Sequence, residues 1–348
     1  MKISTLILVL AAGLFAASTR AEQPPAQSPT SSQTPATDAM SSVTHAKPDK
    51  SPENYKLVWA DEFNKDGPLD PKDWAYEAGF VRNRELQWYQ PENAVCKDGF
   101  LVIEARKERK PNPRYVAPVA ASTGTEESRT TEAQKRPRRP ASPWQNREMI
   151  EYTSASVNTR GKHSWLYGRF EIRAKIDVRA GSWPAFWTLG IRGRWPTNGE
   201  IDIMEYYRHM VLANVAWAGG TPPVNQITWN TKRMPLSSFP KDWAENFHTW
   251  RMDWDENFIK LYLDGVLVNS QDLSKTINTP TRNGYGSGPG QVPENPFQAP
   301  AYILLNQAIG GTQGGDPSAT EFPVRFIVDY VHVWQTPSQR EKETSEGR

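Results

Sequence analysis

The chain has 348 residues, 37% of them hydrophobic, and a formal charge of +2. Near-neutrality gives no electrostatic drive toward nucleic acid, and the single cysteine, Cys96, excludes an internal disulfide and a thiolate metal cluster. The 14 tryptophans are a high number; the indole has a flat apolar face and a hydrogen-bonding edge, which suits sugar rings as well as a packed core.

In chain order, residues 1–21 read as a signal peptide. Lys2 supplies the positive start, the apolar stretch begins at Leu6, and Thr19-Arg20-Ala21 closes it with a cleavage site. The apolar run is too short to span a bilayer, and no later stretch is long enough. Residues 22–52 are rich in Pro, Ser, Thr and Gln and poor in large apolar side chains, so they read as a disordered linker. The expected location is outside the cytoplasm, periplasmic or extracellular.

From residue 53 to 336 the signals are short strands separated by turns. Asp98-Gly99 precedes a strand over 100–105, with Cys96 just before it as a small buried hydrophobe. Residues 107–146 break the pattern with many Pro, Thr and Ser and the basic run Lys135-Arg136-Pro137-Arg138-Arg139. They read as a long mobile insertion, whose basic run is either a solvated loop or a contact for an anionic polymer. Phe170, Ile172, Ala174 and Ile176 alternate with charged residues, which marks a half-buried strand. Ile259, Leu261 and Leu263 do the same before a hairpin turn at Asp264-Gly265. A final strand covers 325–334, and residues 337–348 form a polar tail expected to fray. No long amphipathic helix is evident. One large all-β sandwich follows. No segment carries an interface signal, so a monomer is expected.

The chemically informative segment is Gly199-Glu200-Ile201-Asp202-Ile203-Met204-Glu205. On a strand Glu200 and Asp202 share one face, and Ile201 and Ile203 the other. Glu205 falls on the wrong face unless a β-bulge near Ile203-Met204 inserts one extra residue. Three acids in a row repel one another, which costs stability unless they have a use. One use is binding a hard cation. The other is glycoside hydrolysis, in which retaining enzymes hold two carboxyls about 5–5.5 Å apart. Cα atoms about 13 Å apart on a strand still allow long Glu side chains to lean together. Just upstream, Trp183 and Trp187 stand four apart on a strand-like run, so both face one way. They are either core or the aromatic floor of a sugar cleft.

Residues 183–207 resemble the active-site region of glycoside hydrolase family 16, the laminarinase-like endo-glucanases with the bulged E-x-D-x-x-E motif. Further segments share the resemblance: Trp59-Ala60-Asp61-Glu62-Phe63, Asn83-Arg84-Glu85-Leu86-Gln87-Trp88-Tyr89, Tyr167-Gly168-Arg169-Phe170-Glu171, Phe247-His248-Thr249-Trp250, and Leu305-Asn306 with Gly310-Gly311. It covers roughly residues 55–335. The family resemblance implies a concanavalin-like β-jelly roll of two curved antiparallel sheets with a cleft across the concave face. It implies Glu200 as nucleophile, Asp202 as its assisting acid and Glu205 as acid/base, with no catalytic cofactor. It also implies that Trp183 and Trp187 line donor subsites and that Asn83 and Glu85 reach the sugar. Many members carry a His on the next strand, where this chain has Asn214-Val215-Ala216-Trp217; Trp217 is then expected to shape the acceptor side. A structural calcium is implied at Glu62, Gly99 and Asp329.

The expected substrate is a β-linked polysaccharide, β-1,3-glucan or mixed-linkage β-glucan. The alternatives are a sulfated galactan of agarase or carrageenase type, or carbohydrate binding without catalysis.

Overall fold

The computed structural model describes residues 54–117, 142–220, 227–280 and 291–346, within the unit spanning Thr44–Arg348. The expected signal peptide and linker and the basic run at 135–139 lie outside the described residues.

Among the described residues there are seventeen strands: β1 (Lys56–Asp61), β2 (Ala75–Tyr76), β3 (Gln87–Tyr89), β4 (Ala94–Lys97), β5 (Phe100–Pro111), β6 (Met149–Ser154), β7 (Ser156–Asn158), β8 (Gly168–Ile176), β9 (Ser182–Gly190), β10 (Glu200–Tyr207), β11 (Met210–Trp217), β12 (Thr228–Pro235), β13 (His248–Trp254), β14 (Phe258–Leu263), β15 (Val266–Asp272), β16 (Ala301–Ile309) and β17 (Val324–Gln335). They form two sheets. The ten-stranded sheet runs β15-β14-β13-β8-β17-β5-β6-β3, with β1 added to β17 and β4 to β5; the seven-stranded sheet runs β12-β11-β10-β9-β16-β7-β2. Antiparallel pairing dominates, and β3 with β6 is parallel.

The alternation seen in the sequence decides which face of each strand is covered. Phe170, Ile172, Ala174 and Ile176 of β8 meet Ile201 and Ile203 of β10, Val215 of β11, and Ile303 and Leu305 of β16 in one core between the sheets. The smaller sheet is thereby anchored on one side, and its other side is left to form the floor of a cleft. Cys96 is a free thiol buried in that core, as expected.

Two expectations are corrected. The segment expected to be a mobile insertion from residue 107 begins as strand: β5 continues to Pro111 and pairs with β6. Its charged run has no apolar alternation to reveal it. Cross-strand partners hold it instead, with Arg109 Nε donating to Glu151 (3.0 Å) and Thr153 Oγ1 donating to Glu108 (2.5 Å). The two ends of the segment are also closed together, since Asn146 bonds both the N–H and the C=O of Val116. Trp144 packs beside Phe80. The second correction is the tail. Residues Pro337–Glu346 form a polar helix, α2, after a four-residue α1 (Gly311–Gly314). Gln339 Nε2 donates to the Trp254 carbonyl, and Lys342 pairs with Glu256, which ties the helix to the body. None of the described helices is long and apolar enough to cross a membrane.

Candidate active site

Strand β10 carries the bulge that the motif demands. Its register against β9 pairs Asp202 with Trp187 and then Met204 with Phe186, and against β11 it jumps between Asp202 and Glu205. Ile203 and Met204 are both buried in the core (1% and 0% exposed), so two successive residues point inward. Glu205 therefore returns to the face of Glu200 and Asp202, and all three line a cleft of about 580 Å³.

Hydrogen bonds link the three carboxyls. Asn214 of β11 sits opposite Asp202 and donates from Nδ2 to Asp202 Oδ2 (2.9 Å) and to Glu205 Oε2 (2.9 Å). Trp183 Nε1 donates to Glu205 Oε1 (2.8 Å), and Trp195 Nε1 donates to Glu200 Oε2 (2.7 Å). Glu200 and Asp202 are hydrogen-bonded to each other. Burial is the main cause that raises the proton affinity of all three. Glu205 is pushed up to about 8, by burial and then by the charge of Asp202. Asp202 is pushed up to about 6 by burial, against the hydrogen bonds from Asn214 and Glu200. Glu200 is also raised, by burial and then by Asp202 and Glu205. The cluster thus holds its protons more tightly than three isolated carboxyls would, because burial and mutual repulsion disfavour three charges together. Glu200 and Asp202, hydrogen-bonded to each other, compete for a shared proton.

Asn214 donates to the ionised forms of Asp202 and Glu205, and so lowers their proton affinities. Asn214→Ala is expected to raise both. In the role that the resemblance implies for it, a general acid, Glu205 must be protonated, so the alkaline limb of kcat/KM should move upward by about one pH unit. A pH–rate profile of the variant checks this, and an unshifted or downward-shifted limb contradicts the role given to Asn214.

On the other side of β10 lie the remaining expected sugar contacts. Trp183 and Trp187 both line the cleft, and Trp187 Nε1 donates to Asn306 Oδ1 of β16 (2.7 Å). Asn83 and Glu85 reach the same cleft from the loop before β3. Glu85 is almost fully buried and accepts from Gln87 Nε2 (2.8 Å) and Asn83 Nδ2 (3.3 Å). Asn83 and Arg84 adopt left-handed backbone (φ 52° and 51°). Gly311, at φ 68°, makes room for them: a Cβ there would lie 2.8 Å from the Asn83 carbonyl.

Trp217 does not reach the cleft. Asn214 faces the cleft, so by alternation Val215 and Trp217 turn into the core, where Trp217 is 6% exposed. The tryptophan that opens onto this side is Trp229 of β12, 45% exposed and lining the cleft. Sequence reasoning also passed over Arg82, Trp195, Asn214 as a polar bridge, and Arg233. Arg82 pairs with Glu77 and lies 5.1 Å over the Trp187 ring. The spacing Trp229-x-Thr231-x-Arg233 was the available signal for the β12 residues, since it places all three on one strand face.

Strand register brings the expected calcium residues beside the middle of β17, where its pairing passes from β5 to β1. Asp61 pairs with Val331, and Leu101 pairs with Val328, so Glu62, Gly99 and Asp329 are neighbours. The Glu62 side chain meets His332 Nε2 (2.5 Å), and Asp329 Oδ2 accepts from Arg173 Nη1 (2.5 Å). Among the described residues no group of three or more His, Cys, Asp or Glu is placed to hold a metal. A cation here would rest mainly on backbone carbonyls, with a carboxylate already shared with a guanidinium. The donors are oxygens, which suits calcium, and the affinity should be modest.

Residues 124–294 match the family described as glycosyl hydrolases family 16. A β-glucanase of Rhodothermus marinus is 32% identical over 82% of this chain and 87% of its own length. The laminarinase catalytic domain from Thermotoga petrophila is similar in structure, with a TM-score of 0.60 and 30% identity over 81% of this chain and 98% of that one. A structure from work on endo-acting O-glycanases of human gut bacteria aligns with a TM-score of 0.68 and 31% identity, over 86% of this chain and 97% of that one. The two-sheet sandwich, the bulged carboxyl strand and these likenesses agree: the chain belongs to glycoside hydrolase family 16, with its β-jelly-roll fold.

Proposed function

We propose that the protein is an exported, retaining endo-hydrolase of β-1,3-glucan or mixed-linkage β-glucan. The observation that carries this is the bulge in β10, which aligns Glu200, Asp202 and Glu205 on a cleft floor flanked by Trp183 and Trp187. The names of the Rhodothermus and Thermotoga relatives support the glucan reading. Export rests on the sequence of residues 1–21 alone.

In this reading the glycan crosses β10, with donor sugars over β9 and β16 and acceptor sugars over β11 and β12. Trp183 and Trp187 offer ring faces to donor sugars, and Asn83 and Glu85 bind hydroxyls there. Asp202 takes the proton it shares with Glu200, which leaves Glu200 ionised for attack on the anomeric carbon. The Trp195 N–H steadies that charge. Glu205, protonated at neutral pH, gives its proton to the departing glycosidic oxygen. Cleavage of that bond and formation of the Glu200 ester are one displacement. Ionised Glu205 then takes a proton from water, which attacks the same carbon and frees Glu200. All three carboxyls converge on one cleft, which supports catalysis over binding alone.

A second reading is an endo-hydrolase of a galactan or another substituted β-glycan, favoured by the higher structural similarity to the O-glycanase structure. A polysaccharide panel decides between the two. Laminarin or lichenan should release reducing ends as mid-sized oligosaccharides. Cleavage of agarose, carrageenan or mucin glycans with no cleavage of either glucan would overturn the glucan assignment.

A structural calcium at Glu62, Gly99 and Asp329 belongs to the same proposal. It would tie the first and last strands of the larger sheet and stabilise the fold in proportion to its binding. Chelation should lower Tm and re-added calcium restore it; an unchanged Tm counts against the site.

A further inference from the structure

The cleft is asymmetric in charge. On the donor side its arginine, Arg82, is matched by Glu77. On the other side the edge strand β12 turns Trp229, Thr231 and Arg233 toward the cleft. Between them Asn230 points away and donates to Ser270 O and Gln271 Oε1. Arg233 is exposed, and among the described residues it has no ion pair and no hydrogen bond. A second guanidinium stands nearby. Arg208, on the turn between β10 and β11, makes a long hydrogen bond to the Thr312 carbonyl (3.3 Å), its only one among the described residues, and both arginines act electrostatically on Tyr207 beside Glu205. Trp229 is 45% exposed, whereas Trp183 and Trp187 are 6% and 7% exposed. It lies in the row Glu200–Ala216–Trp229 across three paired strands, and Arg233 lies opposite Leu212, the partner of Glu205.

On one face of β12 an open indole and, four positions on, a guanidinium with no ion pair or hydrogen bond among the described residues line the cleft, although that guanidinium also acts electrostatically on Glu205; together they set a stacking face and a donor fork along the same edge of the cleft. A neutral sugar would use the face, and hydroxyls would use the fork weakly. A sulfate or carboxylate would use the fork fully, through bidentate charge-assisted bonds. We infer that β12 forms an acceptor-side surface for a glycan bearing an anionic substituent, with Trp229 as the stacking platform and Arg233, further along the same strand face, as the residue that reads the charge. This rests on the hydrolase reading above for the direction of the chain, and it extends the substrate class to anionically substituted β-glycans. Arg208 adds to the potential at the same end of the cleft without lining it.

Arg233 could instead serve only to adjust Glu205, so the test reads binding, apart from turnover. The full chain carrying Glu200→Gln is titrated calorimetrically with three hexasaccharides of one β-1,3-glucan backbone: unsubstituted, sulfated, and oxidised to carboxylates at C6. The two anionic probes separate sulfate from carboxylate as the preferred group. At low salt at least one anionic probe should bind more tightly than the neutral one, and the difference should shrink as salt rises. Adding Arg233→Ala should weaken the preferred anionic probe about tenfold and the neutral one less than about twofold, and Arg233→Lys should recover part of the loss. Trp229→Ala should weaken all probes that bind. Equal effects of Arg233→Ala on neutral and anionic probes, or neutral binding at least as tight as both anionic ones, would overturn the inference. Turnover of neutral laminarin by the unmodified protein tests the hydrolase reading separately.

Discussion

Glu200→Ala is expected to abolish turnover, with a loss in kcat of roughly 10⁵-fold, because it removes the carboxylate that forms the ester while Asp202 and Glu205 hold the proton-transfer roles. The protein should stay folded. Glu200 has its proton affinity raised by burial and by its two acidic neighbours. A carboxyl raised in this way favours folding fully only below the ordinary value near 4.5, and that contribution is lost as pH climbs through the raised one. At neutral pH its removal should therefore leave Tm unchanged or higher, which separates lost chemistry from lost structure. Retained turnover in the variant, or a Tm well below that of the unmodified chain, would contradict the assignment.

Glu205→Ala should behave differently in kind. Hydrolysis of a natural β-glycan should slow by roughly 10³-fold, because proton delivery and water activation are both lost. A substrate with a good leaving group, such as a dinitrophenyl glycoside, needs no proton and should still form the intermediate on Glu200. Azide can then enter the space the side chain vacated and attack from the same side, giving a β-glycosyl azide. Rate rescue by azide with that product is the expected result. An α-glycosyl azide, or rescue of Glu200→Ala in its place, would exchange the two roles. In the unmodified protein, activity should also decline as pH rises past about 8, where Glu205 loses its proton.

Much of this was legible in the residues, and the reason is periodicity. A strand with one covered face shows its alternation, so β8, the β14–β15 hairpin and β17 stood out from apolar residues two apart. The bulge in β10 was also legible, because Glu205 fails the alternation set by Glu200 and Asp202, and one extra residue repairs it. Where alternation is absent the reading fell short. The end of β5, Arg106-Lys107-Glu108-Arg109-Lys110, is held by cross-strand charges and backbone pairing, and by composition it passed for loop. Helix α2 has no apolar stripe, and its anchors are single contacts to Trp254 and Glu256. The resemblance puts Trp217 in the cleft because many members carry a His on that strand; parity with Asn214 turns it into the core. Contacts between residues distant in sequence, such as Arg82 over Trp187, have no local signature at all.

The central claim is a double displacement at Glu200, so the most direct measurement is the anomeric configuration of the first product. Proton NMR of a β-linked substrate at the start of hydrolysis should show the β-anomer appearing first, with the α-anomer growing only by mutarotation. An α-anomer appearing first would mean a single inversion by water, and Glu200 would then be a general base with no covalent role.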